Sequence, residues 1–373
     1  MEKILEGLNE KQVQAVRAIK GPVLVVSGPG SGKTRCLTHR IAYLIASGVS
    51  AERVLAVTFT NKAANEIKER VEELLKKTDK HVLMRSARPM LGTFHAIGLR
   101  ILRKEIARLG YSAHFAIADK DDQLALAKKV VTELGLDSKR FPPGVLLARA
   151  SKLKTALTLP GEFEPGSFSE RVLAQFYTAY QGSLKRMNAV DFDDLIMLPV
   201  KIFQQHPAIL KRYQRAWDYI LVDEYQDTSH DQYILVTLLA KEHKNLFCIG
   251  DDAQSIYMFR DADIRNILNF QKDYPDATVV LLERNYRSTK NILAAAQSII
   301  DNNKSQIPKE LWTSNDHGQK LIIKEALNER DEAQYVADTV RDLAKQGRRL
   351  RDCVILYRTH AQSRAIEEAL LKH

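Results

Sequence analysis

Hydrophobic and polar residues follow two patterns along the chain: short runs that are wholly apolar and longer stretches with a helical repeat. The apolar runs predict buried strands at Val23–Ser27, Val54–Thr58, Tyr219–Val222, Leu246–Ile249, Thr278–Leu282, Lys320–Lys324 and Cys353–Tyr357. Helical periodicity follows several of these runs, as at Lys62–Lys77 and Ser288–Asp301. Apolar strands separated by helices indicate an α/β fold with a parallel sheet covered on both faces.

The pattern changes between about Ile101 and Asn188. Strand-like runs disappear there, and the helix-like stretches Asp121–Leu134 and Phe168–Arg186 are separated by FPPG and LPGEFEPG. We interpret this block as a helical insertion within the first α/β domain. The predicted organisation is therefore a first domain of residues 1–104 and 189–281, a helical insertion subdomain of residues 105–188, and part of a second domain of residues 282–373.

Composition is that of a soluble globular protein. The chain has 373 residues, 45% of them hydrophobic and 27% charged, which predicts two or three compact units. No apolar run reaches the roughly 18 residues that would span a bilayer, and the start MEKILEGLNEKQ lacks the apolar core of a signal peptide. The three cysteines lie far apart without metal-ligand spacing, and two of them sit in apolar runs. We expect those two to pack as small hydrophobes in a protein of the reducing cytoplasm.

The charge balance is basic, with 56 lysines and arginines against 46 acidic residues and a net charge of +10. That excess permits a polyanionic partner. It is equally explained by basic residues that solvate helix faces, as in LRILRKEIARLG and SKLKTALT. Composition alone leaves the two explanations open.

A phosphate site is predicted in GPVLVVSGPGSGKTRCLTHRIAYLI, where an apolar strand enters a glycine-rich turn and then an amphipathic helix. Backbone N–H groups of such a loop and the helix N-terminus form a cradle for phosphate oxygens. Lys33 would reach the β- and γ-phosphates, and the Thr34 hydroxyl would bind Mg²⁺. Ser27 stands where the strict pattern has glycine. The alternative, a glycine-rich turn with an incidental lysine, is disfavoured by the strand–loop–helix context.

Two adjacent carboxylates follow a second apolar strand, in YILVDEYQDT. Asp223 would hold Mg²⁺ directly or through water, and Glu224 would accept a proton from the attacking water. An isolated pair of this kind is often only a solvated strand end. Its place after four apolar residues in a protein with a P-loop favours the catalytic interpretation.

Further segments occur in a fixed order along nearly the whole chain: LNEKQVQAV, SGPGSGKT, VTFTNKAANEIKERV, LGTFHAIG, DFDDLI, LVDEYQDT, CIGDDAQSIYMFR, LERNYRST and ILYRTHAQSRAIEEAL. This ordered set resembles the UvrD/Rep/PcrA family of superfamily one DNA helicases. The resemblance implies a RecA-like P-loop sheet with a helical insertion and the start of a second RecA-like domain. It also implies an ATP- and Mg²⁺-dependent helicase that translocates on single-stranded DNA, 3′-to-5′, in DNA repair or replication.

The resemblance assigns nucleotide-binding roles by position. Gln12 would contact the adenine edge through its amide donor and acceptor. Gln254 would contact the γ-phosphate, Tyr286 would stack on adenine, and Arg287 would reach the γ-phosphate across the cleft between domains. A surface salt bridge is the alternative role for Arg287. The remaining nucleotide contacts implied are Gly28, Gly30, Ser31, Gly32, Lys33, Thr34 and Arg35, and the implied catalytic set is Lys33, Asp223, Glu224, Gln254 and Arg287.

The resemblance also assigns contacts to single-stranded DNA, or to a junction of single and double strands: Phe59, Asn61, Thr93, His95, Tyr257 and Phe259. Aromatic rings stack on any base, so binding would tolerate sequence changes. Phe59 and Phe94 have an alternative role as core aromatics, and no partner at ligand spacing supports His95 as a metal ligand. Three positions depart from the family: Phe259 replaces a usual tryptophan, Asp261 a glycine and Arg284 a glutamine.

Family members continue well beyond this length and complete their second RecA-like domain after a large inserted domain. The resemblance therefore implies that this chain is an N-terminal portion whose second domain, from Leu282 onward, has two strands and about three helices. The chain would then be either a truncated product or one half of a split motor, and in the second case a missing C-terminal half is the implied partner. The alternative function is a module that binds ATP and single-stranded DNA without unwinding. A P-loop ATPase unrelated to nucleic acid is disfavoured by the full set of segments.

Overall fold

The structure, a computed structural model, describes residues 2–78 and 88–372. Contacts between residues divide the chain into two compact units, Met1–His317 and Gly318–His373. The predicted domain limits at residues 104, 188 and 281 remain predictions, because this division separates only the two units.

The described strands of the first unit are β1 (Val23–Ser27), β2 (Val54–Thr58), β3 (Met90–Thr93), β4 (Ala116–Ile117), β5 (Ala189–Val190), β6 (Tyr219–Val222), β7 (Leu246–Gly250) and β8 (Thr278–Leu282). Six of them form a parallel sheet with the strand order β3-β2-β6-β7-β1-β8. The five strands predicted in this unit are confirmed, and β7 is one residue longer than predicted. Strands β3, β4 and β5 were not predicted. The fold class, α/β with a parallel sheet, is confirmed.

Helices follow most of these strands. They are α1 (Glu2–Leu5), α2 (Glu10–Arg17), α3 (Lys33–Ala46), α4 (Asn61–Thr78), α5 (Phe94–Glu105), α6 (Lys120–Glu133), α7 (Pro143–Thr155), α8 (Phe168–Arg186), α9 (Asp194–Gln205), α10 (Pro207–Ala216), α11 (His230–Ala240), α12 (Arg265–Leu268), α13 (Phe270–Asp273), α14 (Lys290–Ile300), α15 (Glu329–Lys345) and α16 (Ser363–Leu370). The four helices predicted from periodicity are confirmed within two residues at each end. None of the helices in the described ranges is long and apolar enough to cross a membrane.

The wholly apolar strands are explained by burial on both faces of the sheet. Along β1, Val23 and Val25 pack into one hydrophobic cluster, whereas Leu24 and Val26 pack into the other. Successive side chains of a strand point to opposite faces, so a strand between two helix layers is apolar at every position. Cys248, in the apolar run of β7, is buried as predicted for cysteines in apolar runs, whereas Cys353 in the other such run is only partly buried; Cys36 is buried as well.

The block between the two halves of the sheet is helical, as predicted. Helices α6, α7 and α8 share a separate hydrophobic cluster that includes Phe176, Tyr177 and Tyr180. The expectation that strands disappear here is wrong at one point, because β4 lies inside the block and pairs with β5 in parallel. This pairing of two residues with two joins the beginning of the helical block to its end. Strand β4 has no apolar run that would reveal it in the sequence, and it forms because β5 lies beside it.

The second unit contains α15 and α16, which pack together through Ala333, Ala337 and Ala369. The strands predicted at Lys320–Lys324 and Cys353–Tyr357 are wrong, since the structure assigns no strand to either segment. Neither segment pairs with another among the described residues, and most of their apolar side chains are exposed. A strand requires neighbours that satisfy its backbone and cover a hydrophobic face, and apolar sequence does not replace them.

Candidate functional site

All six strands of the main sheet are parallel, so their carboxyl ends lie at one edge. The loops that follow these strands at this edge carry nearly every residue predicted to bind nucleotide or DNA. In an open parallel sheet this edge is where ligands bind. The fold therefore brings together segments that are far apart in sequence, such as Pro29 and Asn285 at a separation of 256 positions and Asn9 and Tyr286 at 277.

The glycine-rich loop after β1 has the conformation that a phosphate cradle requires. Gly30 and Gly32 have φ angles of 64° and 86°, a region that side chains disfavour, and α3 begins directly afterwards at Lys33. The Ser31 hydroxyl donates to Gly28 O at 2.8 Å and fixes the turn. The departure at Ser27 is accommodated, because its buried hydroxyl donates to Gly250 O at 2.8 Å and joins the ends of β1 and β7.

The two acidic residues after β6 differ in environment. Asp223 is buried, and burial together with the neighbouring charge of Glu224 raises the pKa of Asp223 to about 7, against the opposing effect of Lys33. Glu224 is partly exposed and its Oε2 lies 3.2 Å from Lys33 Nζ. Its φ angle of 48° is strained for a residue other than glycine, and strain of this kind concentrates at functional sites.

The segment after β8 forms a second wall against the glycine-rich loop. Tyr286 N donates to Gly30 O at 2.9 Å, and Asn285 Nδ2 donates to Pro29 O at 2.7 Å. The Asn285 side chain also accepts from Arg287 N at 2.8 Å, which orients the arginine. Arg287 forms no ion pair within the described residues, and its contact with the γ-phosphate remains a prediction.

Tyr286 is half exposed and held from two sides. Asn9 Nδ2 donates to its hydroxyl at 2.8 Å, and the Arg284 guanidinium lies 4.8 Å from its ring centroid. Arg284, one of the departures from the family pattern, thus supports the predicted stacking residue. Asn9 also forms a reciprocal cap with Gln12, and Gln12 Nε2 donates to Ser31 O at 3.0 Å. The predicted adenine contacts Gln12 and Tyr286 are therefore linked through Asn9.

A cleft of about 540 Å³ opens between these walls. Its size suits a nucleotide. The described lining residues are Gly30, Ser31, Gly32, Lys33, Thr34, Arg35, Glu66, Arg70, Glu224, Gln254, Tyr286 and Arg287. Asp223 is not among them, and its Oδ1 accepts from the backbone N–H of the lining residue Glu224 at 3.1 Å.

The donor set fits a magnesium ion that is held mainly by phosphate. No group of three or more His, Cys, Asp or Glu side chains that could hold a metal occurs in the ranges described. Mg²⁺ commonly uses one or two protein oxygens together with substrate phosphates and water. Thr34 and Asp223 supply a hydroxyl and a carboxylate of this kind beside the cradle.

An aromatic strip lies on the loops after β2 and β7. The rings of Phe59 and Tyr257 stack with centroids 5.4 Å apart, and Phe259 follows 5.9 Å from Tyr257. The Arg260 guanidinium lies 5.5 Å from the Tyr257 centroid and 5.6 Å from that of Phe259. Phe59 and Phe259 are 37% and 69% exposed, so neither is a core residue, whereas Phe94 is buried. Asp261 has a φ angle of 61°, which explains why glycine suits this position in the family.

A second aromatic contact joins the start of α5, directly after β3, to the segment after β5. Thr93 caps α5, since its side chain accepts from Ala96 N at 3.2 Å. Burial lowers the pKa of His95, so a neutral imidazole is favoured. Its ring meets that of Phe192 at 6.0 Å, edge to face. Asn61 is exposed at the start of α4, after the same strand as Phe59.

Two residues of this edge were not predicted. Phe192 is 47% exposed, and its signal in the sequence is an aromatic residue amid the carboxylates of DFDDLI. Gln226 is buried; its Nε2 donates to Glu224 Oε2 at 3.0 Å and its Oε1 accepts from Asp251 N at 3.0 Å. It joins the loop of the predicted catalytic base to the loop of Gln254, and only its place within YQDT could have suggested it.

Comparison with known families agrees with this geometry. The model of the UvrD/REP helicase N-terminal domain matches residues 8–275, and that of the UvrD-like helicase C-terminal domain matches residues 280–373. The chain belongs to the UvrD/REP helicase family. The predicted resemblance is thereby confirmed, and the two matches adjoin at β8.

Relatives within the UvrD/REP helicase family are similar over the whole chain. A protein named ATP-dependent DNA helicase PcrA from Bacillus subtilis is 49% identical over 374 residues, which are 99% of this chain and 50% of that protein. Proteins of the same name from Staphylococcus aureus and Staphylococcus epidermidis are 46% identical over 375 residues, 100% of this chain and 50% of theirs. The chain spans about half the length of the curated relatives it matches.

Proposed function

We propose that this chain is the N-terminal portion of an ATP-dependent DNA helicase that translocates 3′-to-5′ on single-stranded DNA. The observation that carries the proposal is the cleft, in which the glycine-rich loop, Glu224 and Gln254 face Tyr286 and Arg287. The relatives named ATP-dependent DNA helicase support the same activity. Its three cysteines are free, which fits the cytoplasm as the proposed location.

The cleft residues have distinct proposed tasks. Lys33 exchanges its partner Glu224 for the β- and γ-phosphates when ATP binds, and this exchange frees Glu224 to accept a proton from water. Arg287 neutralises charge that develops on the transferred phosphoryl group. Thr34 and Asp223 would hold Mg²⁺, which would neutralise phosphate charge. Gln12, Arg35 and Tyr286 hold the adenosine end of the nucleotide.

The DNA contacts are proposed to follow the carboxyl edge of the sheet. Phe59, Tyr257 and Phe259 form a stacking surface for bases, with Arg260 available for a phosphate or a ring face. Asn61, Thr93 and His95 extend this surface across β2 and β3. Gln254 in the cleft and Tyr257 in the strip are three residues apart on one loop, so a shift of Gln254 on ATP binding would move the strip.

A C-terminal half is the proposed partner of this chain. The shared half-length with the relatives supports it. Exposed apolar residues of the second unit, such as Ile322, Ile323, Val354 and Leu356, also support it, because isolated apolar segments of this kind are typical of an uncompleted sheet. Alone, the chain is proposed to bind Mg-ATP and single-stranded DNA but to hydrolyse ATP weakly.

The test is steady-state ATPase activity with and without oligo-dT, on this chain alone and with the C-terminal half of a relative added. We expect weak activity alone and stimulation by DNA when both parts are present. Oligo-dT affinity should fall steeply between about 50 and 200 mM salt, because phosphate contacts release counterions. Unwinding by the isolated chain would contradict the proposed partner. A second candidate, a module that binds without turnover, would be favoured if ATP and oligo-dT bind but both parts together remain inactive.

A further inference from the structure

A buried lysine lies beside the cleft but outside the predicted site. Lys309 belongs to the segment after α14, and its side chain is 5% exposed. Its Nζ lies 3.2 Å from Asp251 Oδ1 and also pairs with Asp252 Oδ1. Both carboxylates are fully buried, and Asp252 Oδ2 accepts from Ile307 N at 2.8 Å. Buried charges are costly unless they are paired, so this cluster has a defined arrangement.

The two oxygens of Asp251 have different partners. Oδ1 faces Lys309 and accepts from Ala253 N at 3.2 Å, whereas Oδ2 accepts from Gln254 Nε2 at 2.6 Å. A contact to Oδ1 sets the rotation of the carboxylate plane, and that rotation decides where Oδ2 points. The position of the Gln254 amide in the cleft therefore depends on Lys309 through one intervening side chain.

We propose that Lys309 is a positioning residue for Gln254: it orients the Asp251 carboxylate, which in turn presents the Gln254 amide to the γ-phosphate. Lys309 does not line the cleft among the described residues, so it acts through Asp251 rather than by touching nucleotide. This inference rests on the proposed function, since it assigns Lys309 a role only if Gln254 contacts a triphosphate. The competing explanation is a lysine that merely neutralises two buried carboxylates.

The two explanations differ in what they predict for nucleotide discrimination. A positioning role predicts that Lys309→Met lowers affinity for Mg-ATPγS but not for Mg-ADP, because only the former has a γ-phosphate. We expect the ratio of the two affinities to fall about tenfold, the effect of losing one hydrogen bond to a charged group. Lys309→Arg should retain most of the ratio. Lys304→Met, an exposed lysine of the same segment, is the matched control and should leave the ratio unchanged.

A double-mutant cycle tests whether Lys309 acts through Gln254. In a Gln254→Ala background, Lys309→Met should cause no further loss of the ratio, because the group that it positions is gone. Equal losses in both backgrounds would overturn the proposal. So would equal falls in ATPγS and ADP affinity, which are the signature of a purely structural role.

Lys309→Met leaves two buried carboxylates without their cation, so folding is measured by circular dichroism first. If this variant is unfolded, Lys309→Met combined with Asp252→Asn replaces it. The combination keeps the net charge of the cluster at one negative, as in the parent. Failure of both variants to fold would assign Lys309 to stability alone and overturn the inference. A parent chain without preference for ATPγS over ADP would overturn the proposed contact of Gln254 itself, which distinguishes that failure from failure at Lys309.

Discussion

Replacing Glu224 by glutamine separates hydrolysis from binding in the cleft. The amide keeps the size of the side chain and its contact with Gln226, but it cannot accept a proton from water, so hydrolysis should fall about 10²- to 10⁴-fold. The affinity for Mg-ATP should instead increase. Lys33 Nζ lies 3.2 Å from Glu224 Oε2 with their side chains 13% and 35% exposed, so ATP must compete with this ion pair.

The size of the binding effect follows from that exposure. A partly solvated pair contributes about 0–1 kcal/mol, so releasing Lys33 should tighten Mg-ATP binding by up to about fivefold. The assays are equilibrium titration with a fluorescent ATP analogue and single-turnover hydrolysis with enzyme in excess. Glu69→Gln, an exposed carboxylate on α4 outside the cleft, is the matched control. Weaker ATP binding by Glu224→Gln, or turnover equal to the parent's, would refute the assignment of Glu224 as both partner of Lys33 and base.

Three further changes probe the other parts of the molecule. Lys33→Ala should abolish measurable Mg-ATP binding in calorimetry with an unchanged circular dichroism spectrum, because it removes a charge-assisted contact to the terminal phosphates; parent-like affinity would exclude that contact. Tyr257→Ala should weaken oligo-dT binding by roughly 1–3 kcal/mol in a fluorescence titration. The exposed aromatic Phe168 of the helical block is its control, and equal effects at both positions would argue against stacking. Lys154→Met should lower the free energy of unfolding in urea by about 3–5 kcal/mol, since Lys154 is fully buried between two carboxylates. The control is Lys201→Met, which should cost about 0–1 kcal/mol because the acidic partner of Lys201 is 49% exposed. Comparable losses for the two lysines would contradict that distinction.

The parts of the fold predicted from the sequence are those whose cause is local. The P-loop is a contiguous segment, and the strands of the sheet interior are apolar at every position because both faces are covered. Strand β3 escaped prediction because MLGT is short and contains a glycine, and its place at the sheet edge leaves it partly exposed. At Cys353–Tyr357 a strand was predicted that does not form, since an apolar run becomes a strand only when another strand lies beside it and pairs with its backbone.

The contacts that tie the site together could not be predicted in this way. Gln226 is hydrogen-bonded to Asp251, which lies 25 positions away in sequence, and Lys309 is bonded to Asp252, which lies 57 positions away. A glutamine or lysine in a polar stretch of sequence carries no sign that folding will bury it beside a carboxylate. Resemblance to a family supplied the residues that touch ligands, whereas the side chains that orient them became visible only in three dimensions.

The backbone conformation and close packing of the P-loop glycines affect which residues are lost first when such a protein loses its ATPase activity in evolution. A Cβ added at Gly30 would lie 2.7 Å from Arg287 Cβ, and both Gly30 and Gly32 have positive φ angles that disfavour any side chain. Selection for a folded domain would therefore preserve these glycines in a lineage that no longer hydrolyses ATP. Lys33 is not held in this way, because its described ion-pair partner is Glu224 and its side chain faces the cleft. Among relatives that have lost ATPase activity, the lysine should be replaced before the glycines. A glycine-rich loop without its lysine would then indicate a domain that still folds but no longer hydrolyses ATP.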